Sequence, residues 1–224
     1  MYKVLLIDLD NTLLDFDLAQ KKALITTLIK YGVEPTDDNV QLFRNINTYY
    51  WEEYEKERIT KADLLVKRFD EFFKIFNLKR DCEEANTSFL LQLSYGSDKI
   101  EHSDEVLEKL SERLLIYAVT NGVYNTQKRR VEESGLKKYF TDIFVSEKIG
   151  YQKPKKEFFD YVFSKLENVN KDEVLVVGDS LSADIKGGID YDLDTCWYNP
   201  KGKSTDLKPT YIISNLLELI DICK

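Results

Sequence analysis

The sequence is poor in histidine, cysteine, glycine and proline, and each scarcity narrows the class of protein. Of the 224 residues, one is histidine, three are cysteine, nine are glycine and four are proline. The single histidine, His102, excludes a zinc site built on several histidines and disfavours a Ser–His catalytic triad. Few glycines and prolines, together with 43% hydrophobic residues, argue against a disordered or low-complexity chain.

Paired cysteines and long apolar runs are missing as well. Cys82, Cys196 and Cys223 form neither a CxxC pair nor a metal-binding spacing, so we expect reduced thiols that act as packing residues. No stretch approaches the roughly 18 apolar residues of a membrane helix. The N-terminal run Val4–Ile7 is followed by aspartates and lacks the basic region and cleavage site of a signal peptide. We therefore expect a cytoplasmic protein without a membrane segment.

The chain also has fewer positively charged residues than negatively charged ones. The chain has 32 lysines and arginines against 40 aspartates and glutamates, which gives a net charge of −8. This balance disfavours binding of polymeric nucleic acid through phosphate neutralisation. A small anionic substrate needs only local positive charge and stays compatible with the composition.

Short apolar runs alternate with amphipathic segments over most of the chain. Such runs, rich in Val, Ile and Leu, are typical of parallel strands that are covered on both faces. The predicted strands are Lys3–Leu9, Leu114–Val119, Ile143–Val145, Val174–Val177 and Thr195–Trp197. The predicted helices between them are 104–113, 124–134, 155–167 and 183–190, and the tail 212–223 adds a strand remnant and a final helix. The alternation predicts an α/β fold with a doubly wound parallel sheet.

One region breaks this alternation. Leu65, Phe69, Phe72 and Phe76 recur at helical spacing, and no strand pattern lies between the first strand and residue 114. We expect residues 16–97 to form an inserted all-helical domain of about four helices. Gly32 and Pro35 separate its first two helices, and Thr60 is a predicted N-cap of the third. The α/β core domain then comprises residues 1–15 and 98–224.

Four aspartates follow the ends of predicted strands. Asp8 and Asp10 come after the first strand, Asp179 after the fourth, and Asp184 five residues further. In open α/β sheets these strand ends meet at one edge, so we expect the four carboxylates to crowd together. Like charges at close range destabilise one another unless a cation is present. Oxygen ligands without histidine or cysteine predict Mg²⁺ as the cofactor.

Groups that bind anions follow two other strands. Lys153 precedes Pro154, which suits the first turn of a helix, and a lysine at that position is favourable when an anion lies nearby. Thr120, Asn121 and Gly122 supply a hydroxyl and backbone N–H groups at a strand-to-helix turn, where a phosphate fits.

These motifs together resemble the four motifs of the haloacid dehalogenase (HAD) superfamily, in order and spacing. They are Asp8-x-Asp10-x-Thr12, Thr120, Lys153-Pro154 and Gly178-Asp179-Ser180-x-x-x-Asp184. The helical insertion resembles that superfamily's C1 cap. More narrowly, Ile7–Leu14, Val145–Phe163 and Gly178–Pro200 resemble the YjjG/YfnB-type pyrimidine 5′-nucleotidases.

The resemblance implies a role for each core residue. Asp8 attacks phosphorus and forms an aspartyl-phosphate. Asp10 protonates the leaving oxygen and then activates the hydrolytic water, while its backbone carbonyl binds Mg²⁺. Asp8 and Asp179 are metal ligands, and Asp184 binds the metal, orients a water held by it, or orients Lys153. The residues that stabilise the transferring phosphoryl group are Thr120, Asn121, Gly122 and Lys153.

Within that superfamily the second aspartate favours one chemistry over others. Asp10 favours phosphate hydrolysis, since carbon–halogen cleavage needs no acid–base group there. The expected activity is a Mg²⁺-dependent phosphomonoester hydrolase acting on a small phosphorylated metabolite. A phosphosugar mutase is a weaker alternative because the predicted cap has no histidine for proton transfer to a sugar. A non-catalytic binding module is weaker still, because every catalytic position is present.

Aromatic residues in the insertion bear on the substrate. Trp51 and Tyr54 lie in a helix end rich in charged residues, and Phe16 follows the first motif. They are candidates for stacking on a base, and Arg58 is a candidate donor to its carbonyls or to the sugar. A pyrimidine nucleoside 5′-monophosphate is the favoured substrate; phosphoglycolate or a sugar phosphate is the alternative. The sequence leaves the oligomeric state open.

Overall fold

A computed structural model describes all of residues 1–224, which form two compact units. The α/β unit comprises Met1–Asp15 and Ser97–Lys224, and the helical unit comprises Phe16–Gly96. None of the helices is both long enough and apolar enough to cross a bilayer.

The α/β unit is built on a six-stranded, all-parallel sheet. Its strands are β1 (Val4–Ile7), β2 (Leu115–Thr120), β3 (Asp142–Val145), β4 (Val174–Gly178), β5 (Asp194–Tyr198) and β6 (Tyr211–Ile213). The spatial order is β3-β2-β1-β4-β5-β6. The predicted doubly wound parallel α/β fold is therefore confirmed, and the sixth strand is the remnant predicted in the tail.

The central strand shows why the apolar runs do not alternate with polar residues. All four side chains of β1 are fully buried. Leu5 and Ile7 belong to the apolar cluster on one face of the sheet, whereas Val4 and Leu6 belong to the cluster on the other. Because successive strand residues point to opposite faces, a continuous apolar run indicates a strand that is covered on both sides.

The register of the sheet aligns the strand ends that carry polar residues. Ile7 lies opposite Ala118 of β2 and Val177 of β4. Asp8, at the carboxyl end of β1, therefore lies between the ends of these two strands.

Helices and short turns connect the strands. In the α/β unit they are α5 (Ser103–Ser111), α6 (Tyr124–Glu133), α7 (Ser146–Ile149), α8 (Lys156–Phe163), α9 (Lys186–Asp190) and α10 (Glu218–Ile222), after the four helices α1 to α4 of the helical unit. Two details differ from the sequence expectation. Pro154 lies in the turn before α8 rather than in its first turn, because Lys155 N–H bonds the Gln152 carbonyl first. The predicted helix 183–190 is a π-helical turn, Leu181–Ile185, followed by α9.

The helical unit consists of four helices around an aromatic core. They are α1 (Phe16–Tyr31), α2 (Asp37–Glu55), α3 (Lys61–Ile75) and α4 (Cys82–Ser94). The ring of Phe43 on α2 lies 4.8 Å from that of Phe69 on α3 and 5.7 Å from that of Phe89 on α4. Thr60 caps α3 as predicted, and Asp63 completes the capping box.

Candidate active site

The buried ammonium group of Lys153 lies at the centre of the polar cluster of the α/β unit. Its Nζ donates to Asp8 Oδ1 at 2.7 Å, to Asp184 Oδ1 at 2.6 Å and to the Val119 carbonyl at 2.7 Å. The side chain of Lys153 is 1% exposed. All three ammonium protons thus have acceptors, which holds the positive charge at a fixed point beside Asp8.

The charge state of Lys153 follows from two opposing effects. Burial by itself lowers the pKa of this lysine, because it disfavours the charged form. The carboxylates of Asp184 and Asp8 outweigh burial, so the net pKa lies above its usual value. Lys153 is therefore a permanent cation at neutral pH.

Three of the predicted metal ligands converge. A carboxylate oxygen from each of Asp8, Asp179 and Asp184 lies within 4.8 Å of the other two. The carboxylate of Asp10 is outside this three-member group but contributes to the raised pKa of both Asp8 and Asp179, and its predicted part in a metal site stays a prediction. The backbone carbonyl of Asp10, which the resemblance implied as a ligand, stays a prediction.

The electrostatics of this group favour a bound cation. Burial raises the pKa of Asp8 well above its usual value, and the neighbouring carboxylates of Asp184, Asp10 and Asp179 add to the increase against the opposing effect of Lys153. Burial, reinforced by Asp184, raises the pKa of Asp179 to about 7. A divalent cation would offset this repulsion, and three carboxylates without histidine or cysteine fit Mg²⁺.

A glycine and a helix cap shape the loop after β4. Gly178 leaves room for the Asp184 carboxylate, which a Cβ atom at this position would overlap. Ser180 N–H donates to Asp184 Oδ2 at 3.2 Å, and Ser180 Oγ accepts from Ala183 N–H. Asp179 N–H donates to the buried Thr12 hydroxyl at 3.1 Å, which ties this loop to the one after β1.

The turn after β2 orients two polar side chains. Thr120 Oγ1 accepts from Gly122 N–H at 3.0 Å and from Gln127 Nε2 at 2.8 Å, so the hydroxyl proton is left to donate. The Asn121 side chain bonds the backbone of Lys153 in both directions, each at 2.9 Å. The Asn121 amide therefore positions Lys153, and its predicted contact with phosphate stays a prediction, as do those of Thr120 and Gly122.

Sequence reasoning missed two residues that hold Asp10. Arg130 Nη1 pairs with Asp10 Oδ1, and Gln127 Nε2 donates to Asp10 Oδ2 at 2.8 Å. Both side chains lie on α6 and are buried. A signal existed: α6 has few apolar residues, so its buried face must contain polar ones. The link Asp10–Gln127–Thr120 connects the predicted acid–base residue with the predicted phosphate-binding hydroxyl.

The four substrate candidates of the insertion lie in the helical unit. The rings of Trp51 and Tyr54 meet edge-to-face with centroids 5.8 Å apart. Arg58 Nη1 bonds both carboxylate oxygens of Glu53, at 3.0 and 3.2 Å. Phe16 is partly buried against the unit's apolar core. Substrate contacts by Phe16, Trp51, Tyr54 and Arg58 stay predictions.

The fold and the cluster define an α/β enzyme whose carboxylates and buried lysine gather at the carboxyl edge of a parallel sheet. Residues 2–192 match the family model of the haloacid dehalogenase-like hydrolases, so the chain belongs to that family and is a hydrolase. The resemblance found in the motifs is thereby confirmed.

Three proteins are similar in sequence to this chain over nearly its full length. The chain is 37% identical to YfnB of Bacillus subtilis, a haloacid dehalogenase-type hydrolase by name, over 99% of this chain and 95% of YfnB. It is 34% identical to the pyrimidine 5′-nucleotidase PynA of Streptococcus pneumoniae, over 98% of this chain and 94% of PynA. Identity to the pyrimidine 5′-nucleotidase YjjG of Escherichia coli is 30%, over 97% of this chain and 96% of YjjG.

A solved structure is similar over the whole chain. The crystal structure of Bacillus subtilis YfnB bound to magnesium has a TM-score of 0.95 to this chain at 37% identity. The match covers 99% of this chain and 98% of that structure.

Proposed function

We propose that this hydrolase is a Mg²⁺-dependent phosphomonoesterase that acts through an aspartyl-phosphate on Asp8. The observation that carries the proposal is the position of Asp8, which contacts Lys153 and belongs to the carboxylate group of Asp179 and Asp184. A carboxylate between a fixed ammonium ion and a metal site is suited to attack an anionic phosphorus centre, because both cations offset charge repulsion.

In the first step an Asp8 carboxylate oxygen bonds to phosphorus while the bond from phosphorus to the leaving oxygen breaks. Asp10 donates a proton to that oxygen, so the product leaves as an alcohol. Lys153 and the Thr120 hydroxyl stabilise the negative charge on the transferring phosphoryl group. Gln127 and Arg130 hold the side chain of Asp10, each through a different carboxyl oxygen.

In the second step water attacks phosphorus of the aspartyl-phosphate, and the phosphorus–Asp8 oxygen bond breaks. Asp10, now a carboxylate, accepts the proton of that water. Inorganic phosphate leaves, and Asp8 and Asp10 return to their starting states. Asp8 and Asp179 would hold Mg²⁺, and Asp184 would bind it directly or through a water. The ion would supply positive charge that offsets the charge of the phosphate oxygens.

The proposed substrate is a pyrimidine nucleoside 5′-monophosphate such as UMP or dTMP. Two relatives that align over nearly the full length, PynA and YjjG, are named pyrimidine 5′-nucleotidases. We assign the helical unit the role of a cap that receives the nucleoside. Its ring pair of Trp51 and Tyr54 offers a stacking surface, and base–aromatic stacking contributes about 1–3 kcal/mol per base.

A panel of phosphomonoesters tests the substrate class. We expect kcat/KM for UMP and dTMP to exceed that for AMP, phosphoglycolate and glucose phosphates. A tenfold or greater preference for AMP or a sugar phosphate over every pyrimidine nucleotide would refute the substrate while leaving the phosphatase chemistry intact. Phosphate release from none of these compounds in the presence of Mg²⁺ would refute the phosphatase proposal itself.

A further inference from the structure

The helical unit contains a buried arginine that has no carboxylate partner. Arg68 on α3 is 2% exposed. Its Nη1 donates to Asn47 Oδ1 at 2.7 Å and its Nη2 donates to Asn86 Oδ1 at 2.6 Å. Its Nε is buried without a hydrogen-bond acceptor. We call these three side chains the Arg68 cluster.

Keeping this charge in the interior is costly for the fold. Burial lowers the pKa of Arg68 to about 9, and no neighbouring acid offsets the effect. The rings of Phe89 and Phe69, with centroids 4.9 and 5.5 Å from the guanidinium carbon, supply only a cation–π contribution. An apolar side chain of similar volume would fill the same space without the desolvation penalty. The hydrogen bonds of Arg68 join α3 to α2 and α4, but a neutral donor could make such bonds without the desolvation penalty of a cation.

The cluster offers mainly hydrogen-bond donors, because both asparagine oxygens already accept from Arg68. A guanidinium group has five N–H donors, so the two asparagines must turn their oxygens toward Arg68. The amide NH₂ groups of Asn47 and Asn86 are then left to donate elsewhere. Asn47 and Asn86 are 4% and 9% exposed, so both are buried as Arg68 is. A ligand that matches it must present acceptor oxygens.

The cluster lies next to the aromatic pair on the same helix face. Asn47, Trp51 and Tyr54 follow one another on α2 at spacings of four and three, which places them on one face. Phe43, four residues before Asn47, belongs to the aromatic core. Along this face, Phe43 thus lies in the aromatic core, Asn47 belongs to the Arg68 cluster, and the rings of Trp51 and Tyr54 are partly exposed.

A second helix repeats this arrangement. On α3, Lys61 lies seven residues, about two turns, before Arg68. Lys61 Nζ is 5.9 Å from the Trp51 ring centroid and 5.7 Å from that of Tyr54. On α2 the two rings lie one to two turns from Asn47. On α3 the residue beside the rings, Lys61, lies about two turns from Arg68.

We propose that the Arg68 cluster binds the carbonyl edge of a uracil or thymine ring that stacks on the Trp51–Tyr54 pair. This inference rests on the proposed nucleotidase function. Uracil and thymine have an acceptor oxygen at C4, which suits the cluster's donors, whereas cytosine has an amino group there that would meet other donors. The cluster is thus the base-specificity site, and it selects UMP and dTMP over CMP.

The decisive variant is Asn86→Asp, which keeps the side-chain shape. Its carboxylate neutralises Arg68 in place and replaces the donor NH₂ by an acceptor. We expect kcat/KM for UMP and dTMP to fall by about 10- to 100-fold, the range for lost hydrogen bonds to charged groups. The activity on CMP should fall less, and that on ribose 5-phosphate, which has no base, should stay within about twofold.

Arg68→Met removes the charge and keeps the length of the stem. We expect the same loss for UMP and dTMP in a protein that still folds by circular dichroism but has a lower melting temperature, because Asn47 Oδ1 and Asn86 Oδ1 lose their buried donor. The matched control is Arg80→Met, since Arg80 donates only to the backbone carbonyls of Tyr31 and Lys79. This control should keep the wild-type ratio of UMP to CMP.

The outcomes separate this inference from the proposed function. If the wild type prefers UMP and dTMP to CMP and Asn86→Asp retains that ratio within about threefold, the base-specificity site is refuted and the nucleotidase stands. An equal loss on UMP, CMP and ribose 5-phosphate in both variants also refutes it, because the cluster then acts through structure. A wild type without activity on any pyrimidine nucleotide refutes the proposed substrate first.

Discussion

Asp8 and Lys153 form the pair of residues from which the proposed chemistry starts. The ammonium group of Lys153 lies 2.7 Å from the Asp8 carboxylate, and the Asn121 amide fixes the backbone of Lys153. Such a contact would orient Asp8 as the proposed nucleophile and place a positive charge beside the oxygens of a bound phosphoryl group. The proposed activity should therefore depend on single atoms of these two side chains.

Replacing the nucleophile is the sharpest test at this scale. Asp8→Asn retains an oxygen that can accept from Lys153, so the protein should fold, but an amide is a poor nucleophile. We expect turnover of UMP and of p-nitrophenyl phosphate to fall by about three orders of magnitude or more. Steady-state phosphate release, with circular dichroism as the check on folding, measures this.

Asp10→Asn is the matched control for Asp8→Asn. It keeps the nucleophile and removes the group that activates water, so a phosphorylated protein should accumulate from p-nitrophenyl phosphate. Mass spectrometry should find the added phosphoryl group on Asp8. Substantial turnover by folded Asp8→Asn protein contradicts the assigned mechanism.

At the scale of elements, α6 is unusual in the polar character of its buried face. Thr126, Gln127 and Arg130 are buried on this helix, with Val131 beside them. Arg130 and Gln127 reach the Asp10 carboxylate from this face. The helix thus supports the loop after β1 through charge and hydrogen bonds where apolar packing is the usual means.

Arg130→Met tests whether α6 positions Asp10. We expect a larger fall in kcat/KM for UMP than for p-nitrophenyl phosphate, about tenfold or more in the ratio, because kcat/KM reports phosphoryl transfer to Asp8, in which nitrophenolate leaves without proton donation. Arg130→Lys should restore part of the ratio. A general loss of structure would lower both activities alike and would contradict a positioning role.

The neighbouring residue supplies the control for this prediction. Arg129 lies on the same helix, is partly exposed and is 3.8 Å from Glu133. Arg129→Met therefore makes the same chemical change away from Asp10. It should leave the ratio of the two activities unchanged.

At the scale of the whole molecule, the charges of the α/β site do not balance without a cation. Asp8, Asp10, Asp179 and Asp184 face two buried cations, Lys153 and Arg130. Four negative charges against two positive ones leave two negative charges when all are ionised. A divalent ion would neutralise this remainder, so we expect metal binding and stability to be linked.

The metal-free protein should lose stability as the pH rises. The pKa of Asp179, about 7 in the folded protein, lies above its ordinary value near 4, and the pKa of Asp8 is raised as well. Between these values the folded state binds more protons than the unfolded state, so the free energy of unfolding decreases with pH. In EDTA we expect a melting temperature about 5 °C higher at pH 5.5 than at pH 8.

Mg²⁺ should reverse that trend, because it binds the ionised carboxylates of the folded state. The Mg²⁺-induced increase in melting temperature should be larger at pH 8 than at pH 5.5, and Asp179→Asn should reduce the pH effect in EDTA. Turnover should stop in EDTA and return with Mg²⁺ but not with Ca²⁺, whose coordination is looser. Full activity after exhaustive chelation would contradict the metal site.

Much of the fold and of the α/β site could be predicted from the sequence because the signals are local. A run such as Val4–Ile7 indicates a strand buried on both faces, and the polar residues after it lie at the sheet edge by the geometry of parallel strands. The same geometry predicts that Asp8, Asp179 and Lys153 lie near one another, and the structure brings them together. The order and spacing of the motifs also indicated the family.

What the tertiary structure alone decided are pairings between distant segments. Asp10 and Arg130 are 120 residues apart, and no local pattern joins their side chains. Arg68 with Asn47 and Asn86 is a second case, since each residue alone is an ordinary polar residue on a helix. Side-chain partners depend on how elements pack, and packing is a property of the whole chain. For this reason the sequence by itself determined where the polar strand ends lie, and only the folded structure decided which charges are paired.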